Sequence, residues 1–356
     1  MLALFRLLRL PATVVALADI LAGCWLLRFA GLGGDLARLP ALLLAGAALF
    51  LAATAWRDWF GYARDKILNP RQPLPAGEIS LTTAYLLGAG LTVAGLMLAM
   101  TAGYAAFYLA AALALLLLAE AVAFRSAEII APLTRGAIRA GAVVFGMSVH
   151  AGLPWLAAEP TVWLPPLLVG IYAALTTTLA RWARREIMEI PVVDRAVDTP
   201  TEMDELVPPL TGTEQSEWQR RRELWTLTRQ NHADHFRRAP HNYLLSVRGA
   251  KFTLVALFLT PLAAALILPR PLPVLLGVLA LWLWLSRPAR DWWIKPDYAT
   301  LPRLVKRALS GACIFNAFVV AGFCGNFWGG EWRVCAVIAL LAAPALGLNR
   351  QKAIAN

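Results

Sequence analysis

Apolar residues in this chain gather into long, nearly uninterrupted blocks of roughly 17–24 residues, about the length a helix needs to cross a hydrocarbon core. They do not alternate over about 10 residues, as the strands of an outer-membrane barrel would. The pattern predicts ten transmembrane helices, at about 11–33, 40–62, 80–101, 104–124, 134–157, 162–182, 250–268, 272–287, 304–325 and 332–348. The eighth is short, and nine spans is the alternative count.

The connections test that count. Every second one is basic: Arg57, Arg64, Lys66 and Arg71, then Arg125, then the long 183–249 stretch, then Arg287, Arg290, Lys295 and Arg303. Arg6 and Arg9 precede the first span, and Arg350 and Lys352 follow the last. The alternate connections carry almost no Lys or Arg. Ten spans with both termini cytoplasmic satisfy the positive-inside rule, whereas nine break the alternation near the C-terminus. The expected location is a bacterial inner membrane. Tryptophans fall near expected span ends, among them Trp56, Trp59, Trp163, Trp292, Trp293 and Trp332, as an interfacial belt would place them.

Composition agrees. Of 356 residues, 59% are hydrophobic and only 15% charged, against about 25% charged in a soluble domain. A soluble enzyme, a disordered chain and a disulfide scaffold are excluded. The net charge of +11 would suggest nucleic acid on a soluble protein, but here it is topology charge, and no nucleic-acid partner is expected. Cys24, Cys313, Cys324 and Cys335 lie in or beside apolar blocks without C-x-x-C spacing and read as small buried hydrophobes.

Three parts are expected: residues 1–182 with helices 1–6, a cytoplasmic insert at 183–249, and residues 250–356 with helices 7–10. The insert holds 11 acidic and 10 basic residues and is nearly neutral. Ser216 followed by Gln219 forms a capping-box start for a helix within it. His232, His235 and His241 there read as surface histidines.

The stretch from Trp56 to Ser80, WRDWFGYARDKILNPRQPLPAGEIS, carries the densest chemistry. Asp58 and Asp65 are two helical turns apart and share a face. Two carboxylates at a membrane surface suit Mg²⁺, which takes a few carboxylates together with substrate phosphates. Arg135 and Arg139 are one turn apart and can address one anion. Asp19 and Glu120 fall inside expected spans, where an ionisable group is a functional candidate. Asp19 is expected to face the bundle interior, and Glu120 lies close enough to its span end to reach the interface. Gly88, Gly90 and Gly95 read as sites of close helix packing.

This stretch resembles the UbiA superfamily of intramembrane prenyltransferases, whose pattern is N-D-x-x-D-x-x-x-D followed by N-x-x-R-P-L-P-S-G-x-I-S. Asp58 and Asp65 match the second and last polar positions, and Asn69, Pro73, Leu74, Pro75, Gly77, Ile79 and Ser80 match the loop. Arg57 stands where Asn is usual, Gly61 where the middle Asp is usual, and Gln72 where Arg is usual, with Arg71 just before it. The opening RLPATVVALADILAG is similar to the family's first helix, and Arg135 and Arg139 followed by Gly-Met-Ser are similar to the EboC-like branch. The usual second Asp pair is absent after the sixth span. Glu186 and Glu189, with Arg181 nearby, stand there instead.

The resemblance implies an all-α, UbiA-like transmembrane bundle that binds a prenyl diphosphate and transfers its prenyl group to an aromatic or other lipophilic acceptor, with Mg²⁺. It makes Asp58 and Asp65 the catalytic pair, and Asp58, Asp65, Glu186 and Glu189 the metal ligands. Lys66, Asn69, Arg71, Arg135, Arg139 and Arg181 become the diphosphate-binding set. The alternative is a catalytically degenerate relative that binds or helps to move a prenylated lipid, a reading favoured by Gly61 and by the missing Asp pair.

Overall fold

The computed structural model describes residues 10–29, 36–68, 72–124, 130–150, 163–189, 240–294, 300–324 and 331–345. The chain divides into two compact units, one of residues 1–179 with 253–356 and one of residues 180–252. The helices are α1 (Leu10–Phe29), α2 (Leu39–Phe60), α3 (Tyr62–Leu68), α4 (Leu81–Ala102), α5 (Tyr104–Ala119), α6 (Ile130–Met147), α7 (Leu164–Glu189), α8 (Pro240–Ile267), α9 (Pro271–Ile294), α10 (Leu301–Ala321) and α11 (Trp332–Leu340). Among the described residues every regular element is helical. Each of the ten apolar blocks overlaps one of these helices, though α7, α8 and α9 run seven to ten residues beyond their blocks, and α3 is the additional short one.

Among the described residues seven helices, against the ten spans expected, are long and apolar enough to cross a membrane by length and composition. Their outward positions are apolar too: Leu266 is 83% exposed, Leu86 62% and Leu44 59%. Water would penalise such a surface, and lipid solvates it. The chain is an integral membrane protein.

Within the larger unit, α1 packs against α2, α6, α10 and α11, and α2 runs along α4 and touches α5. α10 is the most enclosed apolar helix, with 78% of its span buried against 22% for α4. Tyr172 of α7 donates from its hydroxyl to the Ala308 carbonyl (2.9 Å) and stacks on Phe315. Trp284 of α9 donates to the Arg307 carbonyl (3.1 Å), and Arg307 donates back to the Trp284 carbonyl (3.2 Å). Each bond pairs a group that hydrocarbon cannot hydrogen-bond.

α1 and α6 cross at backbone contact. A Cβ on Gly23 would fall 1.9 Å from the Val143 carbonyl oxygen, and one on Gly146 would fall 2.0 Å from that of Ile20. Small residues permit such crossings, which gain dispersion contacts where lipid offers no hydrophobic drive. Of the three α4 glycines, Gly88 meets Trp56 and Gly95 meets Leu49, both of α2, whereas Gly90 faces open space. The packing expectation is corrected at Gly90. Trp292 is fully buried rather than interfacial, while Trp163, Trp293 and Trp332 are about half exposed. All four cysteines are free and buried.

A polar knot ties the same crossing to α10. Asp19, without exposed surface, accepts from Arg139 of α6 (2.5 Å) and from the Asn316 amide of α10 (2.6 Å). Removing Asp19 or Arg139 strands a charge in the bundle, and breaking such a pair typically costs about 3–5 kcal/mol. Arg139→Met is therefore expected to lower the thermal unfolding midpoint of the detergent-solubilised protein markedly. Asp19→Asn combined with Arg139→Met should recover most of the loss. A single variant as stable as the parent would show that the pair is not a structural tie.

Candidate functional site

The site begins in the last turn of α2. Gly61 is formally the end of that helix, yet its N–H donates to the Arg57 carbonyl (3.0 Å), and the Asp65 N–H donates to the Gly61 carbonyl (2.8 Å). Gly61 keeps a right-handed helical backbone. The helical path thus continues into α3 and preserves the two-turn spacing of Asp58 and Asp65. Both carboxylates face inward, 4% and 1% exposed. Lys66, one residue further, is exposed.

The loop then returns under this helix. Leu74 is buried and packs with Ala84, Trp59, Tyr62 and Ile79. Ala76 N–H donates to the Gln72 carbonyl (2.8 Å) and Ile79 N–H to that of Pro73 (3.3 Å). Gly77 has φ 75°, a conformation that disfavours any residue with a Cβ. Ser80 caps α4 by accepting from Thr83 N–H (3.0 Å), which satisfies one of the unpaired donors of that first turn. The Trp56 indole donates to Thr92 (3.1 Å), and Trp56 and Trp59 both lie against Tyr85.

A third carboxylate approaches Arg57 from the end of α5. There the chain makes a π-helical turn, Glu120–Phe124, a deviation frequent at functional sites. Glu120 is 2% exposed, which corrects the expectation that it reaches the interface. Arg135 of α6 donates to its Oε1 from Nε (3.0 Å) and brings Nη2 to the same oxygen (3.0 Å). Arg57 Nε lies 3.7 Å from Oε2. Arg135 and Arg139 thus reach two different carboxylates, Glu120 and Asp19.

Other expected residues are placed as follows. Arg181 is half-buried and belongs to the smaller unit. Glu186 and Glu189 occupy the last turns of α7, also in the smaller unit, and their side chains lie outside the described residues. Asn69 and Arg71 lie outside them altogether, as does most of the 183–249 insert. Among the described residues no group of three or more His, Cys, Asp and Glu is placed to hold a metal. Two buried carboxylates on one face remain, oxygen donors of the kind that Mg²⁺ accepts alongside water and phosphate oxygens. They fit that ion as a partial ligand set.

Cavities open on the larger unit among the described residues. One, of about 510 Å³, is lined by Trp59, Phe60, Tyr62, Ala63, Leu81, Thr82 and Tyr85. Another, of about 420 Å³, lies among Leu254, Phe258, Leu259, Trp282, Trp293 and Ile294, with Arg290 alongside. Neither is lined by Asp58 or Asp65.

The sequence reading singled out neither the Glu120 pairings nor Asn316. Asn316, a polar residue inside an apolar block, was the available signal.

Gly77 offers a conformational test. No atom would meet its Cβ within 4 Å, so Gly77→Ala is expected to destabilise through the backbone alone, by about 1–2 kcal/mol. Gly90→Ala, equally open but inside α4, is expected to stabilise by about 0.5–1 kcal/mol. Thermal unfolding of the two variants beside the parent would show shifts of opposite sign.

No protein-family model and no curated protein matches the sequence. Solved structures do. One, described as giving structural and mechanistic insight into digeranylgeranylglyceryl phosphate synthase in membranes, is similar over 90% of this chain and 98% of its own, at 15% identity and a TM-score of 0.53. A UbiA homologue from Archaeoglobus fulgidus bound to GPP and Mg²⁺ covers 97% of each chain at 12% identity, with a TM-score of 0.49. The first likeness carries the fold: this chain shares the all-helical fold of that structure, as its apolar blocks lead one to expect.

Proposed function

We propose that this protein is an integral membrane prenyltransferase that moves the prenyl group of a prenyl diphosphate onto an aromatic or other lipophilic acceptor. The observation that carries the reading is the burial of Asp58 and Asp65 on one continuous helical face, immediately before the loop that matches the prenyltransferase motif. The fold likeness to a synthase of a prenylated glyceryl phosphate supports it.

In this reading Asp58 and Asp65 hold Mg²⁺. The ion, when bound, supplies positive charge to the oxygens of the departing diphosphate. The C–O bond of the allylic ester breaks and the diphosphate leaves with the electron pair. The acceptor then forms its bond to the allylic carbon and releases a proton. Arg135 adds a guanidinium suited to phosphate oxygens, and Lys66 adds an exposed ammonium beside Asp65. Preorganised charge of this kind acts where negative charge develops in the transition state. The apolar bundle keeps water from the cation.

A second reading rests on Gly61. It removes one carboxylate from the motif, and a relative that binds a prenylated lipid without chemistry needs no full acidic set.

Asp58→Asn and Asp65→Asn separate the two. A catalyst should lose about 100-fold or more in diphosphate release from a labelled prenyl diphosphate with each change, with the unfolding midpoint unchanged. Lipid binding that persists in both variants, together with no release by the parent across a panel of acceptors, would favour the non-catalytic reading.

A further inference from the structure

Two thiols beyond the end of α10 have no part in the chemistry above. Cys324 lies three residues past α10, and Cys335 lies in the first turn of α11. Eleven residues separate them in sequence, yet their sulfurs stand 3.8 Å apart. A covalent bond between sulfurs is about 2 Å long, so a small shift closes the gap. Among the described residues no third His, Cys, Asp or Glu joins them as a metal-binding group.

Charge places the pair in a compartment. α10 opens with Arg303, Lys306 and Arg307, while residues 322–331 carry no Lys or Arg, and Arg333 alone follows. That asymmetry orients the start of α10 toward the cytoplasm. Its far end, with both thiols, then faces the opposite side, where disulfides form and persist. Packing gives the bond a purpose. α10 buries 15 of its 21 residues, whereas α11 buries only Cys335 and Ile338. Trp332, Val337 and Leu340 of α11 are about half exposed or more. Its hold on the bundle is the weaker one, and Cys335 is half of what it buries.

We propose that Cys324 and Cys335 form a disulfide in the cell, a staple that fastens α11 to α10. α10 is itself tied to α1 through Asn316 and Asp19, so the bond joins a loosely held helix to a firmly held one. The step is thiol–disulfide exchange with a protein disulfide oxidant. Cys335, which keeps 7% of its surface against none for Cys324, attacks the oxidant's disulfide as a thiolate and forms a mixed disulfide. The Cys324 thiolate then attacks the Cys335 sulfur and displaces the oxidant. One S–S bond forms here and one breaks there. Two electrons and the two thiol protons pass to the oxidant, which leaves as a dithiol. The free thiols described above are the reduced side of this exchange.

The test is mass spectrometry of the full-length protein from membranes quenched in acid, so that no thiol exchanges. The protein is alkylated in denaturant before and after reduction. The parent, with four cysteines, should take two alkyl groups before reduction and four after. One cross-linked peptide pair should contain Cys324 and Cys335. Cys335→Ser should take three groups in both samples. Four groups on the unreduced parent overturn the staple, as does a cross-link between any other two cysteines. A bond that forms only after diamide is added to the membranes overturns it too. Thermal unfolding in detergent reads the mechanical role. A reductant should lower the parent's midpoint and leave that of Cys335→Ser unmoved, with Cys335→Ala in its place if the Ser variant does not fold. A midpoint that responds alike in parent and variant shows that the bond does not hold α11.

Discussion

Hydrocarbon offers no hydrogen bonds, so a charge carried into the bundle needs its partner from another helix. Asp19 is that charge. Its carboxylate sits on α1 without exposed surface and is met by Arg139 from α6 and Asn316 from α10. These partners are 120 and 297 residues away in sequence. Satisfying Asp19 therefore fixes three helices at once and places α1 among α2, α6, α10 and α11. The Gly23 and Gly146 crossing makes the approach possible, since the two backbones meet where a single methyl would collide. The ion pair gives specificity and the glycines give proximity. Neither suffices alone, because apolar helices slide freely past one another in lipid.

The same physics divides the two arginines of α6. They stand one turn apart and carry the same charge, but burial sorts them. Arg139 is nearly enclosed and meets a carboxylate that would be stranded without it. Arg135 is more open and shares its carboxylate with Arg57. Arg139 ties α1 to α6 deep in the bundle, whereas Arg135 meets Glu120 nearer the outside. Depth, more than spacing, separates the two.

Helix positions were legible because long, continuously apolar blocks are visible in one dimension; the count of ten spans was not, since seven of the described helices are long and apolar enough to cross a membrane. Orientation was less so. α4 and α5 are apolar on every side, so nothing in the pattern told which glycines face a neighbour; Gly88 and Gly95 do and Gly90 does not. Trp292 was indistinguishable from Trp293 by composition, yet one is fully buried and the other nearly half exposed. The Asp58 and Asp65 face was readable from their spacing, because the hydrogen-bond ladder runs through Gly61. The partners of Glu120 were not, since the pairing joins residues from three helices and depends on where a π-helical turn falls. That turn has no signature in the local sequence.

Similarity in fold at 15% identity fits this division. Span length, a few glycine crossings and a few buried polar ties determine the bundle, and most lipid-facing positions interchange among apolar residues. Chemistry rests on far fewer positions, so fold likeness does not by itself transfer it. The stretch 57–65 shows how it can drift. With Gly61 in the middle, Asp58 and Asp65 are matched in formal charge by Arg57 and Arg64. A motif with three carboxylates would be strongly acidic and would draw metal cations. A neutral one attracts them less. The bundle is indifferent to that change, because the ties that set its helices, Asp19 with Arg139 and Asn316, lie outside the motif.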